Sequence, residues 1–169
     1  MDTRKFAMNY GAILGLVCVA ILFIIWLINA NQNLIWLNHG LTIAFIYYAV
    51  VQYRDINNNG FISYGASLKL GTTVAFFSSI ILAFYEVIFL GYIDPDQVNE
   101  RLKAVEQFHL MMDPDISEEK LNDLLKNQAS SMKPHWLMVT GMLAGTFAGF
   151  FYSLFISIFV KKEDPNLIA

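Results

Sequence analysis

Apolar and polar positions divide the chain into long uncharged stretches separated by shorter polar segments. No Asp, Glu, Lys or Arg occurs within residues 6–53, 70–85 or 134–160. A helix that crosses a bilayer core needs about 20 mostly apolar residues, and these stretches lack the alternation that is typical of barrel strands. Only helices and closed barrels satisfy their own backbone groups in lipid. The pattern therefore predicts an all-α integral membrane protein.

The first uncharged stretch is long enough for two helices, because a polar turn divides it at residues 29–33. We therefore predict a single domain, residues 1–169, with four transmembrane helices. Their predicted ranges are about 9–30, 34–53, 68–92 and 135–160. A cleaved signal peptide is the alternative for the first range, but its apolar core exceeds the roughly 7–15 residues that are usual in signal peptides.

The overall composition agrees with a membrane protein. Hydrophobic residues make up 56% of the chain and charged residues 15%, whereas about 25% of the residues in soluble domains are charged. The lone cysteine, Cys18, lies in the middle of the first predicted span and cannot form an intrachain disulfide. Cysteine usage therefore says little about the redox compartment.

Lysine and arginine residues near the span ends predict the orientation, because the cytoplasmic segments of membrane proteins are enriched in them. With four spans, both termini and the segment between the second and third spans lie on one side. These segments carry the cations Arg4, Lys5, Arg54, Lys69, Lys161 and Lys162. We therefore predict that both termini are cytoplasmic.

Residues 93–134 form the main polar segment, which this arrangement places on the outer side. They contain nine acidic and five basic residues, a net charge of −4. Apolar residues at helical spacing on either side of Pro114 predict two amphipathic helices in a hairpin, with Asp115 capping the second. A solvated hairpin over the outer face is favoured over a docking platform for a periplasmic partner or lipid headgroups, since no basic or aromatic stripe is evident. The acidic balance argues against nucleic acid binding.

Glu86 is the one acidic residue inside a predicted span. A charged group in lipid is costly, so it normally faces the bundle interior and has a partner. His39, its neighbour Asn38, and His135 enter their helices at the same outer side. We predict one polar cluster of these four residues. The alternative is unrelated residues, with Glu86 either snorkelling towards the interface or hydrogen-bonded to a Tyr or Ser. Their spacings match no metal motif, so no metal is predicted.

Small residues in two predicted spans mark surfaces where helices pack closely. The last span contains Gly141, Gly145 and Gly149, a doubled G-x-x-x-G, and the first span contains Gly11 and Gly15. Glycines four apart let two helix backbones approach each other in lipid. We predict packing within the bundle, and a homo-oligomer or a partner helix is the alternative.

The segment RDINNNGFISYGA, residues 54–66, matches the start of an EF-hand calcium loop. Its twelfth loop position is Ala66 instead of the glutamate that completes the coordination, so calcium binding is not predicted. Asn-Gly at 59–60 favours a tight inner turn instead. We predict that this turn is a cytoplasmic docking surface. Its candidate residues are Asp55, Ile56, Asn59, Gly60, Phe61 and Ile62.

The sequence contains no nucleophile triad, phosphate loop or dinucleotide fingerprint. Transporters usually have broken helices or several buried ionisable groups, which makes transport by this chain alone an unfavoured interpretation. We therefore predict that the protein is not an enzyme and has no cofactor.

Two short motifs resemble those of an uncharacterised family, a domain of unknown function with four predicted spans that is found mainly in Bacteroidota. The motifs are GFISYGA at 60–66, followed by Leu68, Lys69 and Gly71, and YIDPD at 92–96. The resemblance covers essentially the whole chain and implies a bacterial inner-membrane protein. It supplies no known activity. Its members often lie in genomes beside a polyprenyl-phosphate glycosyltransferase, which suggests a membrane partner or anchor for such an enzyme.

We therefore expect a non-enzymatic accessory or scaffold subunit of the inner membrane. Its expected partners are the lipid bilayer and a membrane or cytoplasmic protein, such as a polyprenyl-phosphate glycosyltransferase or another membrane complex. The alternative is a lipid-handling protein or enzyme that uses a pocket around Glu86 near the outer leaflet. Changing Glu86 to Gln separates the two, since only the alternative needs the carboxylate.

Overall fold

The computed structural model describes residues 2–30 and 35–163, and the regular structure within these ranges is helical. Residues 31–33 of the predicted polar turn lie outside them. The helices are α1 (Thr3–Leu27), α2 (Ile35–Gln52), α3 (Tyr64–Ile88), α4 (Asp96–Met112), α5 (Glu118–Ser131) and α6 (Pro134–Val160). Two π-helical turns, Tyr53–Asn57 and Phe89–Ile93, continue α2 and α3. The predicted all-helical architecture is confirmed.

Within residues 2–30 and 35–163, three helical segments are long and apolar enough to cross a membrane. They are Thr3–Leu27, Tyr64–Ile93 and Pro134–Val160. The remaining predicted span corresponds to α2, an 18-residue helix that is not among the three. Asn38, His39 and Gln52 make α2 more polar than a typical span. The structure therefore supports a membrane protein with three candidate spans.

The chain forms two compact units. The first contains the residues up to Leu82 and those from Gly141 onwards, and the second is Ala83–Thr140. The first unit therefore combines α1, α2, most of α3 and most of α6. The second unit contains α4 and α5 with the adjoining ends of α3 and α6.

One hydrophobic core lies within the first unit, and all four of its helices contribute to it. Leu14 of α1, Ile46 of α2 and Val74 of α3 are fully buried, and Ile156 of α6 lies beside them. Lipid tails are as apolar as these side chains, so close packing and interhelical hydrogen bonds hold such helices together.

Glycines allow α1 and α6 to approach α3 closely. A Cβ atom added to Gly11 would lie 2.6 Å from the Phe77 Cβ and from the Val74 carbonyl oxygen. A Cβ atom added to Gly145 would lie 2.7 Å from the Ser79 Cβ. Such distances are closer than packed atoms tolerate, so these two helix contacts require glycine.

The remaining predicted packing glycines lie on the same two helices. Gly15 faces Ile81 and Ser78 of α3, and Gly149 faces the Ala75 Cβ of α3. Gly141 is half-buried in α6. The glycines of α1 and those of α6 therefore contact different positions along α3, which lies between the two helices within the first unit.

Buried hydroxyl groups connect α3 to α6. Ser157 donates a hydrogen bond of 2.9 Å to the Ser67 Oγ, and both residues are fully buried. Farther along, the Ser79 and Thr146 hydroxyl oxygens lie 3.2 Å apart. Interhelical hydrogen bonds of this kind contribute about 0.6 kcal/mol each in membrane proteins.

In the second unit, α4 and α5 contact each other and occupy the segment for which two amphipathic helices were predicted. The cap of α5 differs from the prediction. Ser117, not Asp115, precedes the helix, and its side chain accepts a hydrogen bond from the Lys120 amide. Ser is as good a capping residue as Asp, so the sequence pattern alone could not decide between the two positions.

Candidate functional site

Glu86 has a charged partner in the second unit. The Arg101 Nη1 of α4 donates a hydrogen bond of 2.8 Å to the Glu86 Oε1 of α3. The two side chains remain 43% and 34% exposed for Arg101 and Glu86, respectively. The arginine provides the counter-charge that an acidic group near lipid requires.

His39 connects two helices of the first unit. Its Nδ1 lies 2.9 Å from the Tyr152 hydroxyl oxygen, which joins α2 to α6. The His39 ring also lies against Trp36, with ring centroids 5.4 Å apart. The imidazole therefore has a hydrogen-bond partner and a packing partner within its own unit.

Asn38, next to His39, has a buried side-chain oxygen. Its Oδ1 atom is buried and has no hydrogen-bond partner among the described residues, although its backbone carbonyl accepts a bond from the Thr42 hydroxyl. A buried acceptor without a partner costs free energy. Asn38 could therefore accept a hydrogen bond from a donor that enters this end of the unit.

His135 lies in the first turn of α6, in the second unit, where its ring is 5.7 Å from that of Trp136. The described contacts thus join Glu86 to Arg101 and His39 to Tyr152. The cluster of Glu86, His39, His135 and Asn38 stays a prediction.

Sequence reasoning missed both observed partners, Arg101 and Tyr152. The sequence does indicate the face of α4 on which Arg101 lies. The residue is at i+3 from Val98 and at i−4 from Val105, on the apolar side of the helix. The stem of an arginine at such a position can cover apolar surface while its charged group reaches outwards, and Glu86 is the acidic group that lies there. Tyr152 had no such signal among the many aromatics of α6.

The loop between α2 and α3 is fastened to the segment that follows α6. The Ile62 amide donates to the Lys162 carbonyl at 2.8 Å, and the Lys162 amide donates back to the Ile62 carbonyl at 2.9 Å. Ile62 is 1% exposed and belongs to the hydrophobic core. Of the predicted docking residues, Ile62 therefore anchors the loop instead of lying on its surface.

Arg54 fixes the start of this loop. Its guanidinium donates to the Asp55 carboxylate at 2.7 and 3.1 Å and to the Val160 carbonyl at 3.2 Å. Val160 is the last residue of α6, where the helix dipole favours a positive charge. The hydrogen bond from Arg54 lowers the pKa of the Asp55 carboxyl, and the nearby charges of Arg54 and Lys162 add to this effect.

The turn itself has the predicted left-handed backbone. Asn59 has φ of 52° and Gly60 has φ of 84°, a region that Asn and Gly adopt most readily. The Gly60 amide donates to the Arg54 carbonyl at 2.8 Å, and the Asn58 side chain donates to the Phe61 carbonyl at 2.6 Å. These bonds make the loop a defined structure.

The surface of the loop is formed by a subset of the predicted docking residues. Asp55, Ile56 and Asn59 are exposed, with Ile56 at 72%. Gly60 and Phe61 are half-buried, and the Lys162 ammonium lies 5.4 Å from the centre of the Phe61 ring. Within residues 2–30 and 35–163, no group of three or more His, Cys, Asp and Glu side chains is placed to hold a metal ion.

The same end of the first unit also includes the start of α1. The Thr3 and Tyr53 hydroxyl oxygens lie 2.6 Å apart. The start of α1, the α2–α3 loop and residue Lys162 after α6 therefore meet at one end of this unit.

Comparison with known proteins identifies a family and no function. The sequence profile of DUF4199, a protein of unknown function, matches residues 9–162. Neither a curated protein nor a solved structure matches the chain. The predicted relationship to a domain of unknown function is confirmed, and this chain belongs to the DUF4199 family.

Proposed function

We propose that this protein is a four-span, non-enzymatic accessory subunit of the inner membrane that binds a protein partner through the loop between α2 and α3. The observation that carries the proposal is an exposed Ile56 on a loop that hydrogen bonds hold in one conformation. The family resemblance suggests a polyprenyl-phosphate glycosyltransferase or another membrane complex as the partner.

The contacts of α2 support the fourth span. Tyr53, just after α2, bonds to Thr3 of α1, and the Thr42 hydroxyl lies 3.9 Å from the Cys18 sulfur of α1. Near its start, His39 bonds to Tyr152 of α6. Contacts with two candidate spans near both ends of α2 favour a fourth span beside them, because helices associate in lipid through close packing and interhelical hydrogen bonds.

The basic residues support a cytoplasmic location for the end that contains the loop. Thr3, the α2–α3 loop and Lys162 meet there, and six cations lie in or next to these segments, whereas Lys133 is the cation directly before α6 at the other end. Cytoplasmic segments are enriched in Lys and Arg. Both termini and the loop would therefore face the cytoplasm.

The anchoring of the loop on both sides of Ile56 supports a binding role. Ile56 lies between Arg54, which is bonded to α6, and Ile62, which is buried in the core. A surface that is already held in its binding conformation loses little conformational entropy when a partner binds. Ile56 would supply apolar area for such a contact, and the charge of the neighbouring Asp55 would orient the partner.

Crosslinking from native membranes tests this function. A photoreactive amino acid at Ile56 of the full-length protein should crosslink to one protein partner, and Ile56→Ser should lose copurification of that partner. Tyr92, which is 83% exposed in the other unit, provides the control: Tyr92→Ser should keep the partner. A protein that stays alone, or a partner that Ile56→Ser retains, contradicts the accessory function.

The alternative is a lipid-handling protein that uses Glu86. It is supported by the partial exposure of the Glu86–Arg101 pair, which leaves both groups within reach of a polar headgroup. Glu86→Gln should leave partner binding and cell growth unchanged if the protein is an accessory subunit. If Glu86→Gln abolishes function while the partner still copurifies, the lipid-handling function is the better account.

A further inference from the structure

The C-terminal part of α4 exposes four large apolar side chains. Phe108 is 58% exposed, Leu110 41%, Met111 78% and Met112 70%. Single exposed apolar residues are common, but a group within one helical turn marks a contact surface. Because α5 already contacts α4, these exposures show the part of α4 that α5 leaves uncovered.

The exposed side chains continue the face of α4 that pairs with α3. Arg101, Val105, Phe108 and Met112 follow one another at i, i+4, i+7 and i+11, which places them on one side of a helix. The first of them binds Glu86. The apolar surface is therefore on the side of α4 that turns towards the candidate span Tyr64–Ile93.

The ion pair places Arg101 of α4 beside the last turns of α3. If α4 continued along the axis of α3, residues 86 and 101 would be about 22 Å apart. Two side chains cannot bridge that distance, yet the Glu86 and Arg101 atoms lie 2.8 Å apart. Since Glu86 lies about 10 Å before the end of the candidate span, the ion pair holds Arg101 near the membrane boundary that this end of α3 defines.

We propose that α4 lies in the interface between the membrane and water at this end of α3, with Phe108, Met111 and Met112 inserted among the lipids of the same bilayer. The opposite side of the helix carries the exposed polar residues Asn99 and Lys103, together with Leu110, the least exposed of the four apolar side chains. Helices that lie in this interface bury an apolar face and keep a polar face in water. The helix has no excess of basic residues, so apolar burial drives its insertion and anionic lipids are not required. This inference does not rest on the proposed partner.

Site-directed spin labelling of the full-length protein in phosphatidylcholine nanodiscs tests the proposal. Single cysteines replace Phe108, Met112 or Lys103 in a Cys18→Ala background, and collision rates with oxygen and with a water-soluble nickel complex are measured. Labels at 108 and 112 should collide more with oxygen than with nickel, and the label at 103 should show the reverse.

The residue 103 label is the matched control, because Lys103 lies on the opposite side of the same helix. Labels at 108 and 112 that are as accessible to nickel as the label at 103 would overturn the proposal and indicate a hairpin that stands in water. Two separate label positions guard against one variant that disturbs α4. Size-exclusion profiles and helical content that match the Cys18→Ala parent show that a variant is folded.

Discussion

The two units of this protein hold their helices together in different ways. In the first unit, side chains of α1, α2, α3 and α6 are fully buried, and glycines bring helix backbones into contact. In the second unit, α4 and α5 contain no fully buried residue, and an ion pair with partly exposed groups ties α4 to α3. We therefore expect α4 and α5 to open more easily than the helices of the first unit.

The largest effect should follow from a cavity in the first unit. Ile62→Ala removes a fully buried side chain, and truncations of this kind cost about 2–5 kcal/mol. Ile56→Ala, in the same loop but 72% exposed, should cost about 0.5 kcal/mol or less. The free energy of unfolding in mixed micelles measures both. Equal losses would mean that the loop is not anchored through Ile62.

The next largest loss of stability should follow from a larger side chain between α6 and α3. Gly149 faces the Ala75 Cβ, so the larger side chain of Gly149→Leu must force the helices apart at a cost of about 1–3 kcal/mol. Ala144→Leu adds a similar side chain at an exposed position of α6 and should change stability little. Thermal unfolding of the two variants provides the comparison. A Gly149→Leu variant as stable as Ala144→Leu, with unchanged association, would contradict the packing of α6 on α3.

The second unit should respond weakly to loss of its ion pair. Arg101→Gln should lower the unfolding free energy by about 1 kcal/mol or less, because both partners are more than a third exposed. Hydrogen exchange in α4 should nevertheless become faster than in a Lys103→Gln control. If Arg101→Gln lowered the free energy of unfolding as much as Ile62→Ala does, the two units would not differ in how their helices are held together.

The smallest effect concerns the pH dependence of the loop. The Asp55 carboxyl has a pKa below its usual 3.8 when it is bonded to Arg54. A lowered pKa in the folded state contributes stability that is present above the unfolded value and is lost as the pH falls through the folded value. Protection of the Gly60 amide against exchange should therefore be constant above about pH 4, where the Asp55–Arg54 bond is intact, and should fall below that pH as Asp55 becomes protonated. In Asp55→Asn this acid-dependent step should be absent, and an identical step in that variant would assign it to another group.

The helices could be predicted from sequence because their signals are local. Uncharged stretches and the apolar spacing in residues 93–134 depend on neighbours a few positions away, and the observed helices follow them closely. The left-handed turn at Asn59-Gly60 was predictable for the same reason, since these residues adopt positive φ most easily.

The tertiary partners could not be predicted, because they join residues that are far apart in sequence. The exchange of backbone bonds between Ile62 and Lys162 spans most of the chain, and the Ser67–Ser157 bond uses two of many serines. Nothing in the local pattern distinguishes these residues from others of their type. The sequence places Arg101 beside the apolar face of α4, but it does not say which acidic group the arginine binds.

The central claim is that α2 crosses the membrane with α1, α3 and α6. The most direct test is to determine on which side of the membrane three positions lie. Single cysteines replace Lys5, Ile56 or Tyr92, all exposed, in the Cys18→Ala background. They are labelled in intact cells with a maleimide that cannot cross the inner membrane. Four spans predict that Tyr92→Cys reacts in intact cells, whereas Lys5→Cys and Ile56→Cys react only after lysis. If α2 does not cross, positions 5 and 56 fall on opposite sides of the membrane, and that result would contradict the account.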